Sequence, residues 1–93
     1  MSMKQYQPVG RIVIRRIGED TLLVPVSGPL ARGRVYPLNE TAASIWCDLT
    51  AGKTVCEAAT SLSRRFVVAE ADALADAQAC VDELIVEGLL ETR

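Results

Sequence analysis

The sequence predicts an α+β domain in which a three-stranded antiparallel sheet is followed by three helices, in a winged-helix-like order. Two features carry this reading. Between residues 10 and 36 short β-branched runs alternate with Gly and Pro, and from Asn39 onward the apolar period changes from two to 3.6. A length of 93 residues with 49% apolar composition holds one modest core and no second one. Such a core, built mainly from Val, Leu, Ile and Ala, is worth only about 5 kcal/mol of net stability.

Each element follows in order. Residues 1–9 are polar and read as a flexible segment ahead of a domain over residues 10–93. Ile12, Val13 and Ile14 open a hairpin, Gly18, Glu19 and Asp20 supply its turn, and Thr21 to Val24 return. Pro25 lacks a backbone donor and belongs near the end of that second strand. Ser27, Gly28 and Pro29 begin a longer loop closing around Gly33, and Arg34, Val35 and Tyr36 form a short third strand.

Asn39 is a good N-cap for a first helix with Ala42, Ile45, Trp46 and Leu49 on its apolar stripe, ended by Gly52. Thr54 and Glu57 make a Thr-x-x-Glu capping box for the second helix, whose stripe is Val55, Ala58, Ala59, Leu62 and Phe66. The third helix is expected over residues 69–87. Leu74, Ala77, Val81, Leu84 and Ile85 face the core, with Asp72, Asp76, Ala79 and Glu83 opposite. Ala69 stands where a capping side chain is wanted, so this helix should begin raggedly. Gly88 caps its end, and Leu89 and Leu90 fold back as an apolar latch.

Composition narrows the function. Histidine is absent, which removes the commonest general base and metal ligand together. Cys47, Cys56 and Cys80 fall inside helical segments without C-x-x-C spacing and read as small buried residues of a reducing compartment. No phosphate-cradling or dinucleotide glycine motif occurs, and the carboxylates of the helical half sit at surface spacing. We therefore expect no enzyme activity, no metal and no cofactor. Neither a signal peptide nor a run of ~20 apolar residues is present, so a soluble, cytoplasmic protein with no membrane partner is expected.

Charge is split between the halves: six basic and two acidic residues up to Arg34, then four basic and ten acidic. A helix-turn-helix DNA binder is the natural rival reading. Its recognition helix would be residues 69–87, which carry six carboxylates and no basic residue, and phosphates would repel it. Nucleic acid is therefore not the expected partner, although the basic hairpin leaves a DNA-binding regulator as the alternative. A self-associating module, possible as a homodimer through an open strand edge, is a third reading.

The run Tyr36-Pro37-Leu38-Asn39-Glu40-Thr41-Ala42-Ala43-Ser44-Ile45-Trp46 resembles the Leu-Asn-x-x-(Gly/Ala)-x-x-Ile-Trp segment of the PqqD family. Lys53-Thr54-Val55-Cys56-Glu57-Ala58-Ala59 is similar to that family's second-helix opening, and Glu87-Gly88-Leu89-Leu90 to its terminal Glu-Gly-Leu-Leu. The resemblance spans residues 10–90. It implies a RiPP recognition element, a non-catalytic peptide chaperone that binds the leader of a ribosomally made precursor peptide. A separate peptide-modifying enzyme, often a radical S-adenosylmethionine (SAM) protein, would then act on the core peptide. Stand-alone relatives serve pathways other than pyrroloquinoline quinone (PQQ) synthesis, so the product is left open.

The resemblance further implies that the leader adds as a strand to the edge of the third strand, beside the third helix. The peptide-binding residues would be Arg34, Val35, Tyr36 and Leu38 on the strand. On the helix they would be Asp76, Cys80, Glu83 and Glu87 along one flank, with Ala75, Gln78 and Asp82 as the alternative flank; small Ala73 and Cys80 would leave room for an apolar leader side chain. Asp76 and Glu83 would select basic leader residues. Three features depart from the family pattern: Pro37 removes an edge N–H, the loop over residues 27–33 is long, and Ala69 is a poor cap.

Overall fold

Two antiparallel sheets and three helices make up the computed structural model, which describes residues 4–28 and 33–93. The main sheet has the order β2-β3-β4, formed by β2 (Ile12–Ile17), β3 (Asp20–Pro25) and β4 (Tyr36–Leu38). The β2–β3 hairpin closes through Gly18 and Glu19, with Gly18 at φ +63°, the left-handed position that a tight turn reserves for glycine. Leu23 pairs with Ile14 on one side and Tyr36 on the other, and it is fully buried, so this face of the sheet lies on the core.

The expected third strand begins at Tyr36 rather than Arg34 and runs on to Leu38. Arg34 and Val35 precede it, and the loop read over residues 27–33 falls largely outside the described residues. Pro37 pairs with Leu22 in the ladder. A proline has no N–H to exchange, so its pair must be the non-hydrogen-bonded kind, and its carbonyl turns to the free edge.

A second sheet was not anticipated. Tyr6–Pro8 forms β1 and pairs with Leu90–Thr92 (β5), inside the stretch that the sequence reading left flexible. The pairing extends through Val9 N to Leu89 O at 3.0 Å and Arg93 N to Gln5 O at 2.9 Å. Tyr6 is buried in the core. Gly10 then passes so close to the opposite chain that a Cβ there would lie 2.6 Å from the Ser27 carbonyl oxygen, which only glycine avoids.

The helices are α1 (Glu40–Thr50), α2 (Val55–Phe66) and α3 (Glu70–Val86). Both anticipated caps form. Asn39 Oδ1 accepts from Ala42 N at 2.8 Å; Thr54 Oγ1 accepts from Glu57 N at 3.2 Å while Glu57 Oε1 accepts from Thr54 N at 2.9 Å. Hydrogen bonding to Thr54, from its backbone N–H first and its side chain second, favours the Glu57 carboxylate and holds its pKa below the ordinary value. The third helix begins at Ala69 without a side-chain cap, as expected.

Its buried face agrees with the expected one at Ala77, Val81 and Leu84 and departs from it at three positions. Ala73, Ala77, Val81 and Leu84 are buried, whereas Leu74 and Ile85 are exposed. Ala58 and Ala59 of α2 are buried in the same core, and small side chains on both helices let the backbones approach closely. At the far end Gly88, at φ +79°, closes a Schellman motif: Leu89 N donates to Leu84 O at 2.9 Å and Gly88 N to Ile85 O at 3.0 Å. Leu89 and Leu90 are buried as the anticipated latch.

One position is strained. Val67 caps α2 in the left-handed region at φ +52° with 90% of its surface exposed, so its β-branched side chain gains little from burial. Replacing Val67 by glycine should raise stability by about 1 kcal/mol. A thermal melt should show this as an increase of about 4–8 °C in Tm.

Candidate functional site: a groove between β4 and α3

β4 is an edge strand, since the order β2-β3-β4 ends there. It leads directly into α1, and Asn39, which caps that helix, sits at the junction. The C-terminal half of α3 runs beside it. Between them lies a groove of about 480 Å³. One wall is Arg34 to Leu38; the other is Cys80, Glu83 and Glu87; Ala42, Leu84 and Leu89 supply the apolar floor. The Schellman turn therefore positions the site as well as ending the helix, because it carries Leu84 and Leu89 to the same place.

The groove is polar along its rims and apolar beneath. Arg34 lays its guanidinium over the Tyr36 ring, 5.8 Å from the centroid. Across the groove Glu83 and Glu87 are exposed. Cys80 is half-buried; burial first, then the neighbouring Glu83 charge, push its thiol up to about 11, so it stays protonated at neutral pH. Its role there is that of a small apolar surface rather than a nucleophile.

Arg34, Val35, Tyr36, Leu38, Cys80, Glu83 and Glu87 thus line one groove. Ala73 and Asp76 do not. Ala73 has no exposed surface and belongs to the α2–α3 core, and Asp76 is exposed but is not among the residues lining the groove. Burial explains Ala73, and length explains Asp76. Residues 76–87 of a helix span about 16 Å, whereas a three-residue strand covers only about 10 Å. The strand therefore faces one end of α3. Missed by the sequence reading were the floor residues Ala42, Leu84 and Leu89; the junction of β4 with α1 places Ala42, and the turn at Gly88 brings Leu89 beside Leu84.

Among the described residues no group of three or more His, Cys, Asp or Glu side chains could hold a metal ion, and no helix is long and apolar enough to cross a membrane. Comparison with known proteins decides the family. The model of coenzyme PQQ synthesis protein D (PqqD) matches residues 8–90. The chain belongs to the PqqD family. Among solved structures this PqqD-family chain is similar to a lasso peptide synthetase B1 complexed with the leader peptide. The two share 25% identity and a TM-score of 0.79 over 94% of this chain and 98% of that one. It also shares its fold with TbiB1 in complex with the TbiA(beta) leader peptide, at 21% identity and a TM-score of 0.75 over 91% and 94% of the two chains. No curated protein matches it.

Proposed function

We propose that this chain is a non-catalytic leader-peptide recognition domain, which binds the leader of a ribosomally made precursor peptide along β4 and presents it to a separate modifying enzyme. The observation that carries this reading is the open edge of β4 above an apolar-floored groove, in a fold shared with a synthetase B1 complexed with its leader peptide. An edge strand supplies unpaired backbone groups, and flanking pockets supply selectivity. The partner class that the PqqD resemblance implies is a radical SAM enzyme.

The edge dictates a register. With Pro37 offering only a carbonyl outward, Val35 is the nearest outward-facing residue with both an N–H and a C=O. The leader strand anchors at Val35 and leaves a gap opposite Pro37. Its apolar side chain settles on Ala42, Leu84 and Leu89, between Cys80 and the Arg34–Tyr36 stack.

Calorimetric titration with the short peptides encoded beside this gene tests the reading. Saturable binding is expected at micromolar affinity or better. Val35→Pro should weaken it about fivefold, the loss of one hydrogen bond of about 1 kcal/mol, with Tm unchanged because residue 35 precedes the strand. If none of those peptides binds, or if Val35→Pro leaves the affinity as it was, the β4 edge is not the leader site. A mass that rises with concentration would instead assign the edge to a second copy of the chain.

A further inference from the structure

At the opposite edge of the main sheet lies a second concave surface, unrelated to the leader groove. β2 stands away from α1 and the end of α2, and the cleft between them measures about 580 Å³. Ile14, Ala43 and Phe66 give it an apolar base, and Arg15, Arg16 and Arg65 surround that base. Ile14 is 39% exposed, so apolar surface is left open in the cleft.

The arginines are placed for a ligand. Among the described residues the ion pair formed is Lys53 with Asp48, at 3.5 Å, so Arg15, Arg16 and Arg65 have no carboxylate partner there. Arg65 is held in position by a hydrogen bond of 3.1 Å from Nη1 to Oγ of buried Ser44, and its other donors stay available. A guanidinium fixed in this way binds a carboxylate with little further loss of freedom.

We propose that this cleft binds an acidic segment of a partner protein, whose carboxylates pair with Arg16 and Arg65 while an apolar side chain seats on Ile14 and Phe66. Charge complementarity selects this occupant. A second copy docked about a two-fold axis would set arginine against arginine. A nucleic acid would find only three arginines in the lining, too few for its run of phosphates, whereas a segment with two carboxylates is matched by Arg16 and Arg65. Because β2 and β4 are the two edges of one sheet, this cleft and the leader groove can be filled together, and the domain acts as a bridge.

The test uses the full chain, isotope-labelled for NMR, titrated with a short synthetic peptide carrying Asp and Glu around a Leu-Phe pair. Shifts are expected at Ile14, Arg16, Ala43 and Phe66 and not at Val35 or Leu38. Arg16→Glu should weaken binding about tenfold and Arg15→Glu much less, because Arg15 lies on the other face of β2; both are exposed strand positions whose change leaves the fold intact. A lysine version of the peptide should not bind. Shifts confined to the leader groove, equal binding of the lysine peptide, or no binding would overturn the proposal. So would preference for a short DNA duplex, or self-association that Arg16→Glu abolishes. Failure of leader binding at β4 would leave the β2-edge shifts untouched.

Discussion

Replacing Tyr6 by alanine should cost this domain about 3 kcal/mol, the cost of deleting a buried aromatic side chain. Tyr6 is 7% exposed and belongs to the core, although it precedes the residues that the hydrophobic pattern assigns to the domain. In a chain of this size that loss should lower Tm by more than about 10 °C. The effect is large because Tyr6 does two things. It fills space near α1, and it anchors β1 against β5, whose Leu90 is itself buried. Tyr6→Phe separates these from the hydroxyl: it should retain most of the stability, since the ring supplies the packing. Thermal melts of both variants decide the matter. An unchanged Tm for Tyr6→Ala would mean that the β1–β5 pair is not built into the core.

That strand pair also shows what was hidden from the sequence. Tyr6–Pro8 and Leu90–Thr92 are three residues each and lie at opposite ends of the chain, too short for a period of two to register. The helix ends were legible because their signals are local: Asn39, the Thr54–Glu57 box and Gly88 each act within a few residues of themselves. The face of α3 was half legible. Its 3.6 period was plain and placed Ala77, Val81 and Leu84 on the core side, but close packing on α2 selects the small Ala73 and leaves Leu74 and Ile85 outside. Expecting Leu74 inward left Ala73 for the candidate site. Arg34, Val35, Tyr36 and Leu38 entered the candidate site through the family resemblance. Where along α3 the groove stops needed the position of β4 against that helix, which no local pattern contains.

Reversing both acidic side chains of the groove, Glu83→Lys with Glu87→Lys, should weaken a leader that carries basic residues by about 2 kcal/mol, roughly thirtyfold. The two carboxylates share one wall, one helical turn apart, and the facing Arg34 is stacked on Tyr36 rather than paired with them. Their field therefore falls on whatever occupies the groove. Both positions are exposed, so the fold should tolerate the change, and the loss should shrink as salt screens the pairs. A leader with its basic residues changed to acidic ones should bind the double variant better than the natural leader does. Cys80 supplies an internal check on the geometry. The Glu83 charge helps to raise its pKa, so a lysine at that position should lower it and quicken alkylation of the thiol. Faster alkylation with unchanged leader affinity would place Glu83 beside Cys80 yet remove it from leader selection. A loss of affinity that a charge-swapped leader restores would establish the acidic wall as the determinant of which peptide is carried.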